Sequence, residues 1–426
     1  MRERVFRLCR ASAFKSFLSF GAVQGAQIFL PLLAFPYLSR VLGPERFGIL
    51  MYMLSLSTAV GLSVEWGFSL GAVRDIAQAR DEAKVLQRTV SAVLSAKLIL
   101  VFICGCLAAL ACPFLPYAAD NSLGYSLAIA YGIALGCNPT WYFQGAGSGM
   151  RRMAVWDVLS SALALSLVFV FIDGPGQWPR YLLFLFICKA AAYTWQTAAM
   201  IRAVDGVRLD FRAGRTELRR AFILFSSRLA SMLYTQGNTL IIALFLPAGQ
   251  LGILLAADKI VRAVVSLSAP VTQALMPEIC AAREKNPTGT ARMLRASLAG
   301  TGGVMLILAI VLWLTAPWVI PVVLGSGYGE TVPVLRIMAV FIPILACNIV
   351  LGNQILVPFG QERALTMVLL AVGLVSLPTV AGMASLFGIY GAACMPILVE
   401  SGICAGYVFC ISKCCPQAFR AGKANS

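Results

Sequence analysis

The chain is a succession of apolar runs, each about as long as the ~20 residues a helix needs to cross the hydrocarbon core of a bilayer. The runs are separated by short, mostly basic connections. They fall at about 17–38, 48–71, 90–112, 122–143, 154–172, 181–201, 221–246, 251–276, 296–323, 332–357, 365–386 and 389–411. This pattern predicts an all-α polytopic membrane protein of about twelve transmembrane helices. The first run follows a basic N-terminus (Arg2, Arg4, Arg7, Arg10, Lys15) and reaches Pro36, longer than the apolar core of a secretory signal. It is expected to remain as the first transmembrane helix.

The connections alternate in charge. The N-terminus, 74–88, 145–153, 202–220, 278–295, Arg363 and the tail together hold 25 of the 34 Lys and Arg residues, whereas the intervening set holds only Arg40, Arg46 and Arg180. By the positive-inside rule the first set is cytoplasmic, both termini included. The net charge of +16 therefore has a topological cause. A nucleic-acid-binding surface would gather its bases on one folded face, but here they are distributed loop by loop, so no nucleic-acid partner is expected.

Only 12% of residues are charged and mean hydropathy is +0.83, against roughly 25% charged in soluble domains. That excludes soluble, disordered and collagen-like chains. The absence of His excludes His-based acid/base catalysis and His-ligated metals. Most of the thirteen Cys sit inside apolar runs, among them Cys104, Cys106, Cys112, Cys188, Cys394, Cys404 and Cys410, and none has zinc-finger spacing. They read as small hydrophobes. No metal, cofactor or catalytic residue is expected.

No connection is long enough to fold as a domain. The longest, about 202–220, contains an Arg-rich linker at 206–220 that divides the chain into halves at 1–205 and 221–426, each with six spans. At an offset of 204 residues, LGPERFGIL (42–50) falls on LPAGQLGIL (246–254), the basic stretch 74–88 on 278–292, and Pro113 on Pro317. At 210, Cys137-Asn138 falls on Cys347-Asn348 and Gln144 on Gln354. Six spans per half give both halves the same orientation. Such parallel repeats, related by an axis along the membrane normal, are a secondary-transporter architecture with its site near the midplane.

Ionisable residues within spans cost ~2.5–3.5 kcal/mol each on insertion scales and so point to function. Five bases, Lys97, Lys189, Arg228, Lys259 and Arg262, stand against three acids, Glu65, Asp258 and Glu400. The five bases are the substrate-binding candidates. The three acids are candidates for ion coupling or ion pairing. A net-basic cavity suits an anion: Arg grips phosphate bidentately and Lys supplies a compact charge. Blander roles stand beside these. Lys97, Arg228 and Arg336 are long enough to snorkel to the interface, and Asp258–Arg262, at i,i+4, suits a packing ion pair. Gly21-x-x-x-Gly25 and Gly132-x-x-x-Gly136 favour close helix approach. Gly145-x-Gly147-x-Gly149 has no preceding strand and reads as a turn. Pro139 is expected to break or kink span four near Trp141, Tyr142 and Phe143.

LPLLAFPYLSRVLGPERFGIL (30–50), VEWGFSLGAVRDIA (64–77), SAVLSAKLIL (91–100) and NPTWYFQGAGSGMRRMA (138–154) resemble, in this order, signatures of Wzx-type polysaccharide (O-antigen) flippases. These belong to the multidrug/oligosaccharidyl-lipid/polysaccharide exporter superfamily. The likeness covers roughly the first 155 residues; beyond them it is one of topology. Where the family often has an acid after the FQG motif, this chain has Ala146-Gly147-Ser148-Gly149. The resemblance implies a MATE-like pair of bundles in a bacterial inner membrane. It also implies an undecaprenyl-pyrophosphate-linked oligosaccharide substrate, flipped from the cytoplasmic to the outer leaflet alongside glycosyltransferase and polymerase machinery. The rivals are a multidrug cation antiporter of the same superfamily, which wants a net-acidic cavity, and a membrane glycan polymerase or ligase, which wants a large outer loop. A lipid II flippase usually has two further spans.

Overall fold

The computed structural model describes residues 2–79, 82–232, 236–269, 272, 275–276, 278–279, 282 and 287–414, with side chains from Leu33 onward except residues 227, 230–231 and 287–289. The basic residues Arg80, Arg283, Lys285, Arg420 and Lys423 lie outside the described residues, as do the side chains of the N-terminal bases.

The described residues are helical nearly throughout and include no strand. In chain order the helices are α1 (Arg2–Glu65), α2 (Phe68–Gln78), α3 (Ala83–Ala111), α4 (Ser122–Gly136), α5 (Thr140–Ala146), α6 (Met150–Phe171) and α7 (Trp178–Ala203). They continue with α8 (Phe211–Met232), α9 (Asn238–Ile242), α10 (Ala248–Ser266), α11 (Pro287–Val323), α12 (Thr331–Ala339), α13 (Phe341–Val350) and α14 (Glu362–Cys414).

Among the described residues, seven helical segments are long and apolar enough to cross a membrane. They contain the expected spans two, three, five, six and nine to twelve. The 53-residue α14 holds spans eleven and twelve, which part at Gly388 (φ 56°, ψ −138°). A Cβ at Gly391 would strike Met383 O, so the chain doubles back tightly there. The other four expected spans fall outside the seven for separate reasons. Span one begins in residues whose side chains are not described. Span four is interrupted between α4 and α5 at the expected Pro139. Span seven includes undescribed residues, and span eight (α10) carries three charges in 19 residues. The chain is an all-α, multi-pass membrane protein, and its exposed Phe102, Leu110, Phe114, Ile223 and Leu386 are apolar surface of the kind that lipid covers.

Two compact units share the chain. The first comprises 1–42 and 52–229, the second 43–51 and 230–426. In the first unit α2 buries Phe68, Ala72 and Ile76, one residue per turn, with Val93, Ala96, Trp141, Tyr142 and Met200. The i,i+4 spacing puts the three on one stripe. Trp66 stacks on Phe225 at 3.9 Å between centroids, and its indole N–H donates to Leu218 O at 3.1 Å.

In the second unit, α10 packs on α12, and α13 packs on α11 and α14. A π-helical turn, Leu351–Leu356, follows α13. At the 210-residue offset this turn matches α5. Its Gln354 is fully buried; the Ser297 hydroxyl donates to Oε1 at 2.6 Å and Nε2 donates to Thr272 O at 3.3 Å.

Candidate functional site

The first unit encloses a cavity of about 500 Å³, within the range of small-molecule sites. Helical periodicity builds it. From α6 come Met153, Asp157, Ser161 and Leu165; from α7 come Tyr181, Leu185, Lys189, Tyr193 and Gln196. Steps of three and four keep each set on one face of its helix, and the two helices pack together. The α4–α5 break contributes Asn138, Thr140, Trp141 and Gln144, while Glu65, Ser69 and Arg228 close the remaining wall.

Two ion pairs line this cavity. Lys189 Nζ lies 2.5 Å from Asp157 Oδ1 and donates also to Asp157 O at 3.1 Å. The Tyr193 hydroxyl donates to the same carboxylate at 3.1 Å, and Asn138 Nδ2 donates to that hydroxyl at 3.4 Å. Four polar groups from three chain segments thus form one connected network. In the second pair, Arg228 Nη1 stands 3.7 Å from Glu65 Oε2 while Nη2 donates to Ser69 Oγ at 2.6 Å. Glu65 also accepts the backbone N–H groups of Gly67 and Ser69 at 3.1 and 2.6 Å. It therefore caps the start of α2, where a carboxylate satisfies unpaired amides and meets the positive end of the helix dipole.

Lys97 takes a different place. It is buried, and Nζ donates to Gly136 O at 2.7 Å and Asn138 O at 3.1 Å, 5.9 Å from the centroid of the Trp141 ring. Those carbonyls are left open where α4 ends before Pro139, and a cation at a helix C-terminus is favourably placed. Asn138 completes the turn: Thr140 N donates to its Oδ1 at 2.8 Å. The ammonium holds the break from behind while the broken stretch faces the cavity.

The other candidates belong to the second unit. On α10, Arg262 Nε donates to both Asp258 carboxylate oxygens at 2.9 and 2.7 Å, with Arg262 half exposed and Lys259 exposed. Glu400 is buried in α14, where Asn348 Nδ2 donates to its Oε2 at 2.7 Å and its backbone O at 2.8 Å. Arg336, near the end of α12, donates to Trp313 O at 3.2 Å and lies over that ring.

The eight candidates thus fall into separate groups. Lys189, Arg228 and Glu65 share the cavity of the first unit, Lys97 braces its wall, Asp258, Lys259 and Arg262 share a helix, and Glu400 pairs with Asn348. The expected excess of bases does not gather in that cavity, where two acids match two bases. Sequence reasoning passed over Asp157, although it lies within the expected span 154–172. The available signal was Lys189, a base deep in a span that requires a partner. Among the described residues, no group of His, Cys, Asp and Glu is arranged to hold a metal.

A membrane-embedded polar cavity inside a helical bundle of many spans, with no strand among the described residues, defines a transporter-like fold, and comparison with known proteins agrees. The structure matches an inward closed conformation of the lipid II flippase MurJ with a TM-score of 0.68 at 12% identity, covering 93% of this chain and 89% of that one. It matches an inward-facing MATE family multidrug resistance transporter of the MOP superfamily with a TM-score of 0.65 at 17% identity, covering 93% and 96%. At these identities the likeness is one of fold. Residues 13–283 match the family described as "Polysaccharide biosynthesis protein", and the chain belongs to that family. Curated relatives named "Putative O-antigen transporter" are 26% identical in Escherichia coli (strain K12), over 92% of this chain and 94% of that protein, and 24% identical in Shigella dysenteriae, over 91% and 96%.

Proposed function

We propose that this protein is a flippase that moves undecaprenyl-pyrophosphate-linked oligosaccharide repeat units from the cytoplasmic to the outer leaflet by alternating access. The observation that carries the reading is the cavity of the first unit: a polar, ion-paired hollow in a bundle otherwise built for lipid, in a chain of the polysaccharide biosynthesis family. Lipid-linked sugars need such a hollow, because a hydroxyl-rich head crosses hydrocarbon only when something replaces its water. Lys259 and Arg262 on α10, with Lys189 and Arg228 in the cavity, serve different parts of the transported head, and Lys97 acts through the wall it braces. Asp258, Glu65 and Glu400 act as their partners or in ion coupling. An inside-negative potential favours outward movement of the anion by ~2.3 kcal/mol per charge per 100 mV.

The setting is a bacterial inner membrane, with both termini cytoplasmic and with glycosyltransferases and a polymerase as working partners. The names of the curated relatives support a transporter rather than an enzyme. The multidrug antiporter reading draws on Glu65 and Asp157, but each is already matched by a base, which leaves an organic cation little to gain. The test is genetic and biochemical together. Deletion in the host should stop surface-glycan assembly, with lipid-linked repeat units retained on the cytoplasmic leaflet, and the purified chain in proteoliposomes should make those units accessible on the opposite face. Retained export after deletion, with no flipping in proteoliposomes, would refute the reading.

A further inference from the structure

The cavity of the first unit is polar but not basic. Its charges are committed in pairs: Lys189 to Asp157, Arg228 to Glu65. An entering phosphate, which only accepts hydrogen bonds, would meet two carboxylates and would have to draw each base from its partner. The rest of the wall has another character. Gln144, Gln196, Ser161 and Thr140 carry groups that both donate and accept. Tyr131, Trp141, Tyr181 and Tyr193 supply aromatic rings.

That combination matches the chemistry of a pyranose ring. Every sugar hydroxyl is at once donor and acceptor, so it is served by carboxylates, cations and amides alike. The ring's C–H face carries slight positive charge and lies well against the negative face of an aromatic ring. The 500 Å³ volume admits a small number of sugar residues rather than a whole repeat unit with its lipid. We propose that this cavity is the glycan-recognition site, that it selects uncharged sugar residues of the transported head, and that the pyrophosphate is not bound there. This rests on the flippase reading and deepens it: Gln144, Gln196 and Tyr131 become the residues that set which glycan is carried. A site built on polar pairing rejects a sugar lacking the expected hydroxyl far more strongly than an apolar pocket rejects a change of shape.

The test uses the full chain, Cys-free except for Gln144→Cys, in nanodiscs. Gln144 lines the cavity and is exposed, so the rate of maleimide labelling reports occupancy. The probes are methyl glycosides of glucose, galactose, mannose, rhamnose and N-acetylglucosamine, with inorganic pyrophosphate as the alternative. At least one glycoside at millimolar concentration should slow labelling threefold or more, and pyrophosphate should not. Gln196→Ala and Tyr131→Leu should remove that protection, while Tyr131→Phe, which keeps the ring, should retain most of it. Protection by pyrophosphate alone, or by no probe, overturns the proposal. Export by the native chain, with Gln144 and all its cysteines in place, in cells lacking their own flippase separates the two readings. If export is restored and no glycoside protects, the glycan site fails alone. If glycosides protect and export is absent, the flippase reading fails.

Discussion

Gly48 and Gly252 make a reciprocal contact. A Cβ on Gly48 would fall on Ala248 O, and a Cβ on Gly252 would fall on Pro44 O. The two glycines are 204 residues apart in the sequence, and so are the residues that carry the two oxygens. The contact is therefore reciprocal, as across a local two-fold axis: each segment offers its glycine to the equivalent carbonyl of the other. Residues 43–51 belong to the second unit, although the chain on either side of them belongs to the first. Phe47, buried beside Gly48, meets Tyr328 edge-on at 6.4 Å between centroids.

This symmetry makes the two glycines equally intolerant. Gly48→Ala and Gly252→Ala should each destabilise the protein by at least the ~1–3 kcal/mol typical of overpacking, because the obstructing atoms are backbone. Gly105→Ala, with nothing within 4 Å of the new methyl, should be silent. Thermal unfolding in one detergent compares all three, and unequal effects at 48 and 252 would contradict a reciprocal contact.

Lys189 and Asp157 are a mostly buried pair, their side chains 9% and 16% exposed. Removing one partner of such a pair costs ~3–5 kcal/mol, since the other charge is left unmatched. Lys189→Met and Asp157→Asn should each lower the unfolding temperature markedly, and the double variant should recover part of the loss. Additive losses in the double-mutant cycle would show that the two groups are not coupled.

Lys97 should matter for structure rather than for substrate. Each of its bonds to a carbonyl is charge-assisted, worth ~1.5–3 kcal/mol. Lys97→Met should destabilise the protein and speed amide exchange around Thr140 and Trp141. A variant with wild-type stability but no export would instead place Lys97 on the substrate.

On α10 the expectation reverses. Asp258 and Arg262 form a partly exposed i,i+4 pair, the kind worth ~0.3–0.5 kcal/mol. Lys259→Ala and Arg262→Ala should leave expression and unfolding temperature near normal while abolishing glycan export. Arg262→Lys should keep partial activity, because Lys retains the charge without the planar fork. Full export from both alanine variants at equal protein level would remove α10 from the substrate path.

Orientation can be read by labelling single cysteines in a Cys-free chain. Arg215 and Gly176 are both exposed. A cysteine at 215 should react only from the cytoplasm and one at 176 only from outside. Reaction of both from the same side would overturn the twelve-span arrangement.

The helical, multi-pass class and most of the span positions were legible in the chain because they depend on local composition. A run of ~20 apolar residues partitions into lipid whatever its neighbours are, and Pro139 interrupts span four because a proline lacks the amide that a continuous helix needs. The 204-residue offset read from the sequence had already set Gly48 against Gly252. The charge reading went less far. Counting bases against acids along the sequence treats each charge as available, but availability is a matter of distance. Glu65 is occupied by the amides of Gly67 and Ser69 as well as by Arg228, and Lys97 by the carbonyls of Gly136 and Asn138.

Hydrophobicity is additive along a segment, so the apolar runs dictated membrane-length helices without reference to tertiary contacts. Pairing is not additive. Asp157 and Lys189 are 32 residues apart on separate helices, and nothing local to either one specifies the other. Only the packing of α6 on α7 brings them to 2.5 Å and makes the cavity charge-balanced. The reason is physical: the free energy of a charge in a low-dielectric interior depends on the groups within a few ångströms of it, and the fold alone decides which groups those are.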